Sequence, residues 1–387
     1  MRTILSAAAV LAVATASCSS TTTPNSSGGG TIQVTASGEA LALDGYAFPP
    51  ASKDDVVFVD GWELRFDEVL VTVDKLTLSE NPDRSPSDQA QTEGIVATVE
   101  GPWAIDLHRG GPFAGKGGSG EQAVLLTEIL SQNKNGNQPF DATKRYAFGY
   151  DVVAASARAK RVAIEGAASA DYDEMIAKGL TVLYVGTATF KGTGCNPASD
   201  PVLDALPKVV RFRLGFKAPT SYVNCQNPDN DPASAFSGEE HQRGILVKAN
   251  TKVTAQVTFH TEHPFWESFE HDSPPHFDPI AALATPGADG ASATVTMDDL
   301  AGVDPASFKT KAGRPIVWRS CVDAELYALP TTNPMGFDTK GVPVNPGGSP
   351  ETSIRDYRDY VTYNQSTEGH LNADGLCFVK RNYPSPP

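Results

Sequence analysis

The chain has 387 residues, 40% of them hydrophobic, enough to bury a sizeable core in one large domain or two. Its formal charge is −15, with 31 Lys and Arg against 46 Asp and Glu and no basic cluster, which argues against nucleic acid or anionic headgroups as partners. No apolar run after the first residues approaches the length of a membrane-spanning helix.

In chain order, the first element is an export leader. Arg2 supplies a positive charge, and Ile4 to Ala14 form an apolar stretch of signal-peptide length, too short to span a bilayer. The stretch ends in Thr15-Ala16-Ser17-Cys18, which resembles the lipobox of bacterial lipoproteins. The resemblance implies removal of residues 1–17, acylation of Cys18 and, with Ser19 rather than Asp next, sorting to an outer membrane. Thr15 departs from the aliphatic residue usual there, and Ala14-Thr15-Ala16 also fits ordinary secretory cleavage, which would leave a secreted protein. Residues 18–30, rich in Ser, Thr and Gly, read as a flexible tether spanning roughly 20 Å.

From Thr31 to about residue 285 the pattern is a β-sandwich-like body of antiparallel sheets. In Glu68 to Leu78, Val69, Val71 and Val73 point to one face and β-branched residues are abundant, as a half-buried strand requires. Similar runs occur at Ile32 to Ala36, Val56 to Val59, Trp62 to Phe66, Gly94 to Val99, Trp103 to Leu107, Tyr146 to Val153, Arg161 to Glu165, Leu180 to Phe190, Val209 to Phe216 and Ile245 to Phe259. Asp60-Gly61 predicts a hairpin turn between two of them. Short helices are expected over Glu121 to Ser131 and Ala170 to Lys178. Residues 286–387 form an irregular C-terminal region with short strands at Thr294 to Met297, Pro315 to Trp318 and Cys377 to Lys380, and one amphipathic helix over Thr352 to Tyr363.

With Cys18 assigned to lipid, Cys195, Cys225, Cys321 and Cys377 form an even set, which in an oxidising compartment predicts two disulfides. Sequential pairing, Cys195–Cys225 and Cys321–Cys377, is the expected connectivity among three. None shows metal-ligand spacing.

One segment concentrates chemistry. Four of the seven histidines fall between His260 and His276, with Glu267 and Asp272 among them and Asp278 just beyond. Val253, Ala255, Val257 and Phe259 alternate inward, so His260 lies at a strand end on the polar face. Pro264 suits the first position of a helix reaching His271, which stacks Glu267 and His271 one turn apart. Imidazoles and a carboxylate converging at about 2.0 to 2.2 Å suit copper or zinc, with His260, His263, Glu267 and His271 as candidate ligands and His276 a further one. The competing reading is an aromatic corner in which Phe259, Phe265, Trp266, Phe269 and Phe277 fill the core and the histidines are solvated around it. Motifs of nucleotide-binding, serine-hydrolase and zinc-protease enzymes are missing. The expected function is a lipid-anchored envelope protein, held to a membrane by its N-terminal lipid, that binds an unknown partner without catalysis. The alternative is a copper- or zinc-binding protein, or a metal-dependent enzyme, using the His260 to His276 segment.

Overall fold

The computed structural model describes residues 29–230, 238–288, 292–331, 334–339, 341–342 and 353–381. The leader, Cys18 and most of the tether lie outside them. Strand takes 35% of the structure and helix 12%, so the fold is mainly β, built on two mixed, largely antiparallel open sheets. No helix among the described residues is long and apolar enough to cross a membrane.

The smaller sheet runs in the order Gly375–Leu376, Gly369–Leu371, Lys252–Phe259, Thr31–Ser37, Gln122–Ile129 and Phe113–Ala114. The larger sheet centres on the eighteen-residue strand Trp62–Ser79, flanked by Val182–Phe190 on one side and Arg145–Val152 on the other. A single core cluster takes Ile32, Val34 and Val257 from the smaller sheet and Trp62, Val69, Val71 and Phe212 from the larger one. That cluster also includes Ile316, Tyr357, Val361 and Leu371.

The long strand is where the expected alternation and the structure part. Val69, Val71 and Val73 face the core as predicted, but Leu70 is buried too, against Tyr172 and Met175 of helix Ala167–Lys178. The helix covers the far face of the sheet there, so a strand expected to be half-solvated is buried on both sides over residues 68–73. Trp62 to Phe66 and Glu68 to Leu78, expected as separate strands, are one strand with a register shift between Phe66 and Glu68. The predicted Asp60-Gly61 turn exists, with Gly61 N–H donating to Phe58 C=O at 3.0 Å, but Val56 to Val59 forms no strand, so it closes no hairpin. Ile245 to Phe259 divides into Ile245–Leu246 and Lys252–Phe259.

Glu121 to Ser131, expected as a helix, is the strand Gln122–Ile129, paired with Thr31–Ser37. Its buried residues Ala123, Val124, Leu126 and Ile129 fit either period, and pairing with a neighbour decided the outcome. The C-terminal helix starts later than expected, at Tyr357, because the Asp356 carboxylate accepts the Asp359 N–H at 3.0 Å and caps it. Pro315 to Trp318 is not a strand.

The disulfides join Cys195 to Cys321 and Cys225 to Cys377, not sequential cysteines. Backbone pairing explains the choice. Asn196 and Ser320 exchange N–H to C=O bonds at 2.7 and 2.9 Å beside the first bridge, and Gln226 N–H donates to Leu376 C=O at 2.8 Å beside the second. Disulfide formation and a folded β body are consistent with an extracytoplasmic location.

Candidate metal centre

The smaller sheet assembles a histidine cluster from two distant segments, with a carboxylate from a third. Lys252–Phe259 delivers His260 just past its end, and residues 261–263 turn so that His263 opens a short 3-10 turn, His263–Phe265. On one flank, Gly369–Leu371 pairs antiparallel with it, setting Thr258 opposite His370, and His260 N–H donates to Glu368 C=O at 3.0 Å. A Cβ at Gly369 would lie 2.5 Å from the Tyr150 hydroxyl and the Tyr222 ring, so glycine is what lets this strand lie close enough to place His370. On the other flank, Thr31–Ser37 runs parallel with Ser37 opposite Thr258, which brings Glu39 toward His260.

His260, His263 and His370 each present one ring nitrogen, and these three atoms lie within 4.8 Å of one another. The His260 and His370 rings stack at 4.1 Å between centroids, and His263 stands nearly perpendicular to both at 5.5 Å. For metal–nitrogen bonds of about 2.1 Å, tetrahedral ligands sit roughly 3.4 Å apart, so modest ring rotations close the set on one ion.

The tautomer of His263 is set by its neighbour. Thr367 Oγ1 donates its one proton to Asn364 C=O at 2.7 Å, so at 2.8 Å from His263 Nδ1 it accepts, and Nδ1 carries the hydrogen. Nε2 is then a bare lone pair, and it is buried with no hydrogen-bond partner. His370 Nδ1 is likewise buried and unpartnered. Burial holds the pKa values of His263 and His370 well below that of free histidine, reinforced by neighbouring imidazoles, so both are neutral, as metal ligands must be. A hydrogen bond to the non-ligating nitrogen is the support a metal-bound histidine ordinarily has.

Carboxylates ring the cluster. Burial alone would lower the pKa of His260, but Glu39, Glu262 and Asp374 overcome it and raise it to about 9, so a cation that ligates this ring displaces its proton. Glu39 Oε1 lies 3.4 Å from His260 Nε2, and Glu262 Oε1 lies 4.0 Å from Nδ1. Glu262 is buried, hydrogen-bonded to Tyr46 at 2.8 Å, and its own pKa is raised by burial. Glu368 is pushed up to about 8 by burial and is bonded to Tyr184 and Gln365. A bound cation would favour the ionised forms of these acids, which would then offset its charge.

The structure brings together two of the five candidate ligands and separates the rest. His260 and His263 are in the set. His271 stays at its rim, 6.2 Å from the His263 ring, half exposed and paired with Asp272 at 3.1 Å. The chain does not continue as a helix past Phe265, so Glu267 does not stack on His271. Instead Glu267 accepts from Tyr327 at 2.5 Å and meets His276 Nε2 at 2.9 Å. His276 is buried, with Trp318 at 4.7 Å and Asp60 Oδ2 at 3.9 Å from Nδ1, in a separate network. The aromatic corner exists as well, since Phe259, Phe265 and Phe277 are core residues, but the histidines packed in it are buried, not solvated, apart from His271. His370 carries no local signal, because it stands alone in its segment and joins the site only through strand register.

No protein-family model, curated protein or solved structure matches this chain.

Proposed function

We propose that the chain is an exported envelope protein that binds copper or zinc through His260, His263 and His370. The observation that carries this reading is the unpartnered Nε2 of buried His263, held as a lone pair by the Thr367 bond on a ring clustered with two further imidazoles. Leaving such atoms unsatisfied costs on the order of 1 to 3 kcal/mol each, which a metal bond offsets. All four cysteines described are in disulfides, so no thiolate is at hand, and an imidazole set with nearby carboxylates suits Cu²⁺ and Zn²⁺. Beside Glu262 and Trp266 lies a cleft of about 220 Å³.

The leader and the lipobox-like Cys18 support attachment to a membrane, most naturally an outer membrane, by N-terminal lipid. Replacing Cys18 with Ser should move the protein to the soluble fraction and abolish palmitate labelling; unchanged membrane retention would refute the anchor.

The metal is tested by elemental analysis of the chain purified from an oxidising compartment without chelator. About one copper or zinc per chain is expected, and His263→Ala with His370→Ala should remove it. Equal metal content in that variant would overturn the assignment, and absence of stoichiometric metal after reloading would leave a β-rich protein that binds through its outer loops.

A further inference from the structure

Building on the trihistidine reading, we infer that Glu39, His260 and Asp374 form an outer position for the same divalent cation, through which it reaches the buried site.

The two ligand sets share His260. One oxygen each from Glu39 and Asp374 and one nitrogen of His260 lie within 4.8 Å of one another, the same spread as the trihistidine set. Their burial is graded: Asp374 is exposed, Glu39 half-buried and the His260 side chain only 11% exposed. His260 Nε2, facing Glu39 at 3.4 Å, is a buried atom without a hydrogen-bond partner. The outer set is thus a mixed imidazole and carboxylate site open to water on the Asp374 side, the donor chemistry of Zn²⁺ and Cu²⁺ with water completing the shell.

An entry position is needed because the inner set has no direct exposure. His263 and His370 are 0% and 1% exposed. A hydrated ion cannot shed its whole shell before finding ligands, since an unpaired charge in a low-dielectric interior is prohibitive. Exchange of waters for Asp374 and Glu39, then of carboxylates for His263 and His370 with His260 retained, keeps the ion ligated throughout. The opposite flank offers a weaker route. There the Trp266 ring stacks on His263 at 3.7 Å and closes it off, and the cleft beyond it presents Glu262 and Asp272, the latter already paired with His271 at 3.1 Å. Because the same ion passes from the outer set to the inner one, the proposal requires one tightly held ion per chain, not two.

The test is stopped-flow loading of the chelator-stripped full chain with Cu²⁺, followed by tryptophan quenching. Sodium chloride at about 0.5 M screens long-range attraction, leaving ligation as the difference between variants. Glu39→Gln with Asp374→Asn should load at least about tenfold more slowly than the unaltered chain. Asp374→Asn alone, at an exposed position, should slow loading in the same direction. Asp272→Asn should load at the unaltered rate. Unchanged loading in the Glu39 and Asp374 variants, or slowing by Asp272→Asn instead, would overturn the entry position while leaving the trihistidine site standing. A second tightly bound copper would contradict the passage of one ion from the outer set to the inner one. Failure of the unaltered chain to take up copper would remove both readings.

Discussion

Thr367 Oγ1 lies 2.8 Å from His263 Nδ1 and donates its own proton elsewhere, so one threonine fixes which nitrogen of a buried histidine is free to bind. The two residues are far apart in sequence. Their meeting follows from the antiparallel pairing of Gly369–Leu371 with Lys252–Phe259, the same register that stacks His370 on His260.

Thr367→Val should therefore weaken metal binding without removing a ligand. Losing a hydrogen bond to the non-ligating nitrogen costs about 10- to 100-fold in affinity. Competition against a chromophoric chelator measures it. In the same assay His271→Ala and His276→Ala should retain the affinity of the unaltered chain, because neither belongs to the converging set; loss of binding in either would redraw the site.

Removing Arg319 should destabilise the fold far more than a surface charge would. Its Nε donates to Asp278 Oδ2 at 2.8 Å, Trp62 Nε1 donates to Asp278 Oδ1 at 2.8 Å, and both charged side chains are buried. Arg319→Ala leaves Asp278 buried without its counter-ion, at a cost of about 3 to 5 kcal/mol. Combining Arg319→Met with Asp278→Asn should recover much of that loss in urea denaturation, and failure to recover would mean that the pair does more than neutralise charge.

Asp60 gives a pH dependence of defined sign. Burial and the adjacent Asp278 raise its pKa from 3.8 to about 7, against the lowering influence of His276 and Arg319. An acid whose folded pKa is raised stabilises the fold least when ionised. Its favourable contribution is fully present below about pH 4, declines as pH rises and is lost above about pH 7. Asp60→Asn, which keeps an acceptor for the Phe277 and Asp278 N–H groups, should remove that slope. Relative to the unaltered chain, the variant should gain stability between pH 4 and 7, by up to about 4 kcal/mol at the top of the range. Parallel pH profiles for the two proteins would show that Asp60 titrates normally.

Peptide mapping without reduction should recover Cys195 linked to Cys321 and Cys225 linked to Cys377. The enclosed separations are 126 and 152 residues, for which loop entropy suggests about 5 kcal/mol each. Reduction should lower the melting temperature markedly. Recovery of Cys195–Cys225 peptides would mean a different arrangement of the chain around residue 320.

Much of this protein is local and was legible as such. Alternating β-branched residues predict most of the strands, the Ala170 to Lys178 pattern predicts a helix, and the even cysteine set predicts two disulfides, because each is a property of neighbouring residues. The leader expected over residues 1–17, before Cys18, rests on a local pattern of the same kind and lies outside the described residues. His260 and His263 were legible as candidate ligands because they stand close together at a strand end. Their partner was not. His370 and Thr367 reach the site through pairing of segments more than a hundred residues apart, and no periodicity within either segment encodes that register. The same limit explains the disulfide connectivity, the strand at Gln122–Ile129 and the diversion of Glu267 and His276 into a network with Tyr327 and Asp60. Composition and spacing determine which residues are able to form strands, bridges and ligands; only the tertiary packing, which decides which backbone lies beside which, determines the atoms that meet.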